Sequence, residues 1–186
     1  MTCHLPLATF HLVQDTMSTS YKIVITGPFN AGKSQFVKTI SDIAVVSTER
    51  KITRQEPGMK AQTTVAMDYG RVQLEEVTLH LHGTPGQARF DFMWDILTKE
   101  MAGFVVVVDS TDPGSMGEAR ELIKIFSSAH KVPYVIAANK QDVAGALPIE
   151  KLRRELDLSP AILIMPCVAS RKTSVKQVLA QLVALL

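Results

Sequence analysis

Apolar and polar residues follow two alternating periods along the chain after Tyr21. Short apolar, β-branched runs, typical of buried strands, alternate with longer stretches in which apolar residues recur every three or four positions, as on a helix. The predicted strands are 21–26, 64–73, 75–82, 103–109, 133–138 and 161–166. The predicted helices are 33–43, 88–99, 115–129, 148–156 and 173–185. This alternation predicts an α/β domain whose largely parallel sheet is covered by helices on both faces.

Three segments of this pattern carry further expectations. The valine run within 103–109 indicates a central strand that is buried on both faces. The last helix has one apolar stripe, which we assign to core packing, with a partner-binding stripe as the alternative. The stripe consists of Val175, Val178, Leu179, Leu182 and Leu186. Residues 44–62 are mostly polar, and we interpret them as a mobile switch segment, with a plain solvated loop as the alternative.

Composition narrows the class of protein. The chain has 186 residues, which suits one domain with a full core, and 46% hydrophobic content is ordinary for a soluble protein. A net charge of +2, with scattered Lys and Arg, does not favour nucleic acid or an anionic membrane as a partner. The two cysteines, Cys3 and Cys167, form no disulfide framework or metal cluster and favour a reducing cytoplasmic location. The longest apolar run is too short to span a bilayer and no lipidation motif is evident, so we expect no stable membrane anchor.

The first twenty residues contain no Lys or Arg, so they lack the charged start of a signal or transit peptide. We expect residues 1–20 to be a flexible N-terminal extension and residues 21–186 to be the folded domain. Met17 is a candidate alternative start, because the polar sequence MSTS directly precedes the first predicted strand.

The strongest chemical motif is GPFNAGKS at residues 27–34, which fits the phosphate-loop pattern GxxxxGK[ST] between a predicted strand and a predicted helix. A glycine-rich turn lets backbone N–H groups surround phosphates at a helix N-terminus. Lys33 would reach the β- and γ-phosphates, and the Ser34 hydroxyl would bind Mg²⁺. The alternative is a chance match to the pattern, and the predicted strand before it and helix after it count against that alternative.

The second motif is NKQD at residues 139–142, which follows the predicted strand 133–138. Ligands of α/β sheets bind outside the carboxyl ends of the strands, where this segment falls. The Asp142 carboxylate can accept hydrogen bonds from both donors on one edge of guanine, whereas adenine offers no such pair. Lys140 would lie along the base, and Asn139 would tie this segment to the phosphate loop. The tetrapeptide alone is also compatible with a solvated turn.

From Tyr21 onward, these two motifs in this order resemble those of the Ras-like small GTPases. The chain is most similar to the prokaryotic members related to the bacterial gliding-polarity GTPase. The resemblance implies a three-layer P-loop GTPase fold with a mostly parallel six-stranded sheet that contains one antiparallel strand. It also implies a switch between GTP and GDP that needs Mg²⁺ and binds protein effectors or activators, with a regulator of the Roadblock/LC7 type.

The resemblance also assigns site residues. Thr64 would bind Mg²⁺ and sense the γ-phosphate, with Thr63 as the fallback, and Gly86 would donate its N–H to the γ-phosphate. Gln87 would orient the attacking water and is, with Lys33, the expected catalytic residue. The nucleotide-binding set is Asn30, Ala31, Gly32, Lys33, Ser34, Gln35, Thr64, Gly86, Asn139, Lys140, Asp142 and Ala169, the last of these through its backbone.

Two departures from the family pattern carry their own predictions. Gly83 replaces the switch II aspartate that normally holds a Mg²⁺-bound water. Asp68 is a candidate substitute, because it lies four residues after Thr64 on the same predicted strand, with a strand-surface carboxylate as the alternative. Asp109 is a weaker candidate, since its position resembles the DST turn of Arf-like proteins, where the role is mostly structural. Phe29 stands where Ras-type proteins have glycine, and we expect it to slow GTP hydrolysis.

Two other functions remain open at this point. A non-catalytic GTP/GDP-binding scaffold is favoured by Gly83 and Phe29 and disfavoured by Gln87. A P-loop kinase or ATPase is disfavoured by the motif at 139–142.

Overall fold

The computed structural model describes residues 19–47, 50–53, 62–65, 67–85 and 97–186, the second and third of these ranges by their backbone alone. The strands are β1 (Thr19–Thr26), β2 (Val46–Ser47), β3 (Arg50–Thr53), β4 (Gln62–Val65), β5 (Asp68–Leu74), β6 (Val77–Gly83), β7 (Gly103–Asp109), β8 (Tyr134–Asn139) and β9 (Ile164–Pro166). The helices are α1 (Lys33–Ile40), α2 (Met116–Ala129), α3 (Ile149–Glu155) and α4 (Lys172–Val183). Residues 1–18 of the predicted extension and most of the predicted helix 88–99 lie outside the described residues. The last two residues of the predicted extension, Thr19 and Ser20, belong to β1 and pair with β6, so the predicted boundary at residue 21 is two residues too late.

Seven strands form one sheet in the order β2–β5–β6–β1–β7–β8–β9. Strand β5 runs antiparallel to both of its neighbours, and the other neighbouring pairs are parallel. The predicted α/β fold, with one antiparallel strand in a mostly parallel sheet, is therefore confirmed. The two-residue strand β2 adds a seventh strand to the six that the sequence predicts.

The central strands supply two separate cores. All seven residues of β7 are buried, as predicted for a strand covered on both faces. Because consecutive side chains of a strand point to opposite faces, Val105 joins one core and Val106 joins the other. The first core contains residues of α1 and α4, and the second contains residues of α2 and α3. The sheet thus lies between two helical layers.

The apolar stripe of the last helix packs in the core. Val175, Val178, Leu179 and Leu182 have no exposed surface, which confirms the core-packing interpretation for them. Leu186 is 39% exposed and lies beyond the end of α4 at Val183, so its assignment to the buried stripe is wrong. No helix formed by the described residues is long and apolar enough to cross a membrane.

The polar segment after α1 contains strands that the sequence does not predict. Strand β3 pairs antiparallel with β4, and β2 pairs antiparallel with β5, so a loop assignment for 44–62 is wrong at these strands. The predicted strand 64–73 is in fact β4 and β5, which belong to two different sheets. This segment shows no apolar alternation, so only its backbone pairing reveals the strands.

Candidate nucleotide-binding site

The loop between β1 and α1 is shaped by backbone conformations that favour glycine. Gly27 has φ 144° and Gly32 has φ 104°, and Asn30 is also left-handed at φ 61°. A Cβ atom on Gly27 would lie 2.1 Å from the carbonyl oxygen of Val107 on the neighbouring strand β7. The loop therefore turns tightly against the sheet at a place where a larger residue would not fit.

The N-terminus of α1 opens onto this loop without a side-chain cap. Its N-cap residue is Gly32, and the first turn contains no acidic residue. The first four N–H groups of a helix have no partner within the helix, and the helix dipole adds partial positive charge there. An anion such as a phosphate fits this arrangement.

Lys33 lies across the loop. Its Nζ donates hydrogen bonds to the carbonyl oxygens of Gly27 at 2.8 Å and Pro28 at 2.7 Å. An ammonium group has three donors, so a third remains for a phosphate oxygen. Burial lowers the pKa of Lys33 to about 8, and the negative charges of Glu118 and Asp68 offset part of this effect. The lysine is therefore a buried, mostly protonated cation at neutral pH.

Phe29 and Ser34 have exposed side chains. Phe29 lies near the middle of the loop and is 68% exposed, so its ring turns toward solvent. Ser34 is in the first turn of α1, next to Lys33. Its hydroxyl oxygen is a ligand of the kind that Mg²⁺ prefers.

Asn139 connects three loops at the carboxyl edge of the sheet. Its Nδ2 donates to the carbonyl oxygen of Ala31 at 2.8 Å, and its Oδ1 accepts from the N–H of Ala169 at 2.8 Å. A Cβ atom on Gly32 would lie 2.3 Å from that Nδ2, so the glycine makes room for the contact. The expected tie between Asn139 and the phosphate loop is present in the structure. Ala169, which the family resemblance assigns to nucleotide binding through its backbone, donates its N–H to Asn139.

The next residue, Lys140, is left-handed at φ 63° and forms an ion pair with Asp109 at the end of β7. Burial acts to raise the pKa of Asp109, but hydrogen bonds from Lys140 and Thr111, with the charge of Lys140, hold it below its ordinary value. Asp109 is therefore a carboxylate at neutral pH. Its ion pair with Lys140 ties the end of β7 to the loop at residues 139–142. From the sequence, Asp109 is a weak candidate for replacing the switch II aspartate, at a position whose role in Arf-like proteins is mostly structural.

Gln141 and Asp142 point to different surroundings. The Gln141 Nε2 donates to Ser110 Oγ at 2.7 Å and to the carbonyl oxygen of Leu147 at 3.0 Å. Asp142 is exposed. This leaves the Asp142 carboxylate accessible to a ligand at the carboxyl edge.

Comparison with known proteins assigns the chain to a family. The model of the family described as "Arf: ADP-ribosylation factor family" matches residues 9–186. The chain belongs to the ADP-ribosylation factor family. Members of this family are small GTPases, that is, GTP-binding molecular switches that hydrolyse GTP. The predicted resemblance to Ras-like small GTPases is thereby confirmed.

Individual relatives agree with this family. An uncharacterized protein of Methanocaldococcus jannaschii is 36% identical over 122 residues, which is 66% of this chain and 71% of that protein. ADP-ribosylation factor-related protein 1 of Rattus norvegicus is 32% identical over 139 residues, which is 72% of this chain and 65% of that protein, just under two thirds. The Arl6 BBS3 small GTPase of Trypanosoma brucei, solved with the nucleotide analogue GppNp, has the same fold. Its TM-score is 0.69 at 20% identity, over 89% of this chain and 96% of that one.

In this member of the ADP-ribosylation factor family, Asp68 lies beside Gly83, the residue that replaces the switch II aspartate. Asp68 on β5 and Gly83 on β6 are register partners, and a Cβ atom on Gly83 would lie 3.2 Å from the Asp68 Cβ. Asp68 is buried and accepts a hydrogen bond from Ser47 Oγ. Its negative charge also acts on Lys33. The side chain of Asp68 on β5 therefore starts beside the backbone of Gly83 on β6.

The predicted strand shared by Thr64 and Asp68 is wrong, because it is two strands, β4 and β5. Thr64 and Asp68 do not share a strand, because β4 pairs with β3 in a separate two-stranded sheet. Alternation along one strand therefore does not relate their side chains. The Thr64 side chain, Gly86 and Gln87 lie outside the described residues.

Sequence reasoning missed the residues that support the named ones. Ser47 donates to Asp68, Ser110 accepts from Gln141, and Thr111 donates twice to Asp109. Ser and Thr are common throughout the chain, and their contacts depend on which strands are neighbours. The one available signal is position, since Ser110 and Thr111 directly follow a buried strand whose carboxyl end faces the site.

Proposed function

We propose that this member of the ADP-ribosylation factor family binds GTP and GDP together with Mg²⁺ at the carboxyl edge of the sheet and hydrolyses GTP slowly. The GTP-bound form would then be read by a protein partner through the segments around 44–64 and 83–95. The phosphates would be held by the backbone of residues 30–35 and by Lys33. The base would be held by Asn139, Lys140 and Asp142.

The observation that carries this proposal is the pair of hydrogen bonds made by Asn139. They join the phosphate loop at Ala31, the loop that contains Asp142, and the backbone of Ala169. A ligand with phosphates at one end and a guanine base at the other would contact all three loops. The 2.8 Å contacts fix the spacing between these loops, and a site whose loops are held together costs less to order on binding.

The chain offers oxygen ligands suited to Mg²⁺. We assign direct contacts to the hydroxyls of Ser34 and Thr64, and a contact through water to the buried carboxylate of Asp68. When bound, Mg²⁺ would neutralise charge on the phosphate oxygens. Asp68 fits this role because its carboxylate is buried, charge-coupled to Lys33 and placed beside Gly83.

Hydrolysis would depend on positioning and charge rather than on a covalent intermediate. Gln87 would orient the attacking water, and Gly86 would donate its N–H to the γ-phosphate. Lys33 would stabilise the charge that develops on the phosphate oxygens. Phe29 would slow the reaction, since its exposed ring stands at the loop where an activating protein would approach.

The finer assignments rest on the resemblance seen in the sequence. We propose that the chain is of the type related to the bacterial gliding-polarity GTPase and that its regulator is a Roadblock/LC7-type protein. We also propose a cytoplasmic location, with a GTPase domain that starts at β1, two residues before the predicted boundary at 21, and with the residues before it as an extension.

The test is the base preference of an Asp142→Asn variant. The carboxylate accepts from two guanine donors, whereas an amide can donate to the oxygen that xanthine carries at the same edge. We expect GDP affinity to fall about a hundredfold and XDP affinity to rise, as measured by isothermal titration calorimetry. The matched control is Asp157→Asn, an exposed acid elsewhere on the surface, which should change neither affinity. Unchanged GDP binding by Asp142→Asn would overturn the proposed base site.

A further inference from the structure

The turn after β7 lies against the loop proposed to bind guanine. Asp109 ends β7 and Asn139 ends β8, and the two are register partners in a parallel pair. The segments that follow them therefore leave the sheet side by side. This brings Asp109 to Lys140, although 31 positions separate the two residues in the chain.

Asp109 is itself held in place. Its Oδ1 accepts from the N–H of Thr111 at 2.9 Å and from Thr111 Oγ1 at 2.7 Å, while its Oδ2 pairs with Lys140. Only 7% of the Asp109 side chain is exposed. A carboxylate with both oxygens engaged and little access to water is a rigid anchor for a cation.

The ion pair with Asp109 restricts the side chain of Lys140. Its backbone is in the left-handed region at φ 63°, and its side chain is 31% exposed. A free lysine side chain samples many rotamers, which would have to be ordered when a ligand binds. Because the ammonium group is held at Asp109, the methylene stem of Lys140 is free to cover the flat face of a base.

The same turn also holds the next residue of the loop. Ser110 Oγ accepts from Gln141 Nε2 at 2.7 Å, and the Ser110 carbonyl oxygen accepts from the N–H of Leu147 at 2.7 Å. Two consecutive loop residues are thus fixed to the end of β7. In the described part of the chain, no hydrogen bond is formed to the Asp142 carboxylate, which leaves it available for the base edge.

We propose that Asp109 is a positioning residue for guanine-nucleotide binding, which acts by holding Lys140 in the conformation that packs along the base. This inference rests on the proposed function and adds a residue that does not itself touch the ligand. It predicts that Asp109 and Lys140 act as one unit, so that replacing either residue speeds GDP release as much as replacing both.

The test is a double-mutant cycle on the release of fluorescent GDP. Asp109→Asn keeps the shape and removes the charge, and Lys140→Met keeps much of the stem and removes the ammonium. We expect each single variant to release GDP about tenfold faster, and the double variant to stay within about twofold of either single variant. Asp112→Asn is the matched control, because this exposed acid on the same turn bonds to Gly114 and not to the loop.

Each other outcome overturns the inference. If Asp109→Asn releases GDP at the wild-type rate, Asp109 has no positioning role. If the double variant releases GDP about a hundredfold faster than wild type, the effects of the two single variants multiply, and Asp109 acts through the fold and not through Lys140. Should Asp109→Asn fail to fold, Thr111→Val replaces it, with a smaller acceleration that must vanish in the Lys140→Met background. Wild-type protein that binds no GDP would refute the proposed function itself, which is a separate result.

Discussion

The two ends of the candidate site are built by opposite means. The phosphate end is shaped by missing side chains, since Gly27 and Gly32 let the backbone approach β7 and Asn139 closely. The base end is held by side chains, with Asn139, Lys140 and Gln141 each fixed to another loop. Phosphates are recognised by backbone N–H groups, whereas a base is recognised by side chains on a loop that must itself be held in place. The phosphate end should therefore be most sensitive to added atoms, and the base end to lost hydrogen bonds.

Gly32 lies where the two ends meet, so its replacement should have the largest effect. Gly32→Ala would place a Cβ atom 2.3 Å from Asn139 Nδ2 and impose φ 104° on an alanine. We expect a loss of about 3 kcal/mol in the free energy of unfolding, measured by thermal or denaturant unfolding, and at least about hundredfold weaker GDP binding. Gly117→Ala is the control, because nothing lies within 4 Å of its added Cβ atom. Wild-type stability and GDP affinity in Gly32→Ala would show that the loop tolerates added atoms.

Variants of Asp68 and Gly83 test the proposed Mg²⁺ contact at the phosphate end of the site. We expect Asp68→Asn to raise about tenfold the Mg²⁺ concentration needed to slow GDP release, as is usual when a residue supporting a metal ligand is lost. The double variant Asp68→Gly with Gly83→Asp should recover part of this loss, because it returns one carboxylate to the same pair of register partners. The measurement is GDP release against Mg²⁺ concentration.

The control for that exchange is Glu118→Gln, which removes another negative charge that acts on Lys33. It should leave the Mg²⁺ dependence unchanged if Asp68 acts on the metal rather than on the lysine. Equal effects of Asp68→Asn and Glu118→Gln would instead assign Asp68 a general electrostatic role.

The smallest effect is the pH dependence that follows from Lys33. Its pKa of about 8 lies below the ordinary 10.5, so the free protein loses this charge as pH rises through 8 and becomes more stable between 8 and 10.5. Phosphate binding needs the charged form. GDP affinity should therefore be flat below pH 7 and about fourfold weaker at pH 8.5, as measured by calorimetry. Lys33→Arg keeps its charge over this range, so any affinity it retains should not change with pH; a flat wild-type profile would contradict a lysine pKa near 8.

The sequence predicts the sheet and its cores well because the relevant signals are local. The valine run of β7 and the stripe of α4 bury apolar surface wherever they pack, and both are buried in the structure. The prediction fails for β2, β3 and the start of β4, where backbone pairing creates strands without an apolar period. It fails again at Leu186, where a helical stripe was extended past the end of the helix.

The sequence by itself determined the two motifs, their order and the glycines between a strand and a helix, because these depend on neighbouring residues and on backbone conformation. It also determined that an aspartate is missing at Gly83. Only the tertiary structure decided what stands in its place. It put Asp68 opposite Gly83, and it joined Asp109 to Lys140 across two parallel strands. Such contacts depend on the register of strands that are distant in the chain, which no local pattern encodes.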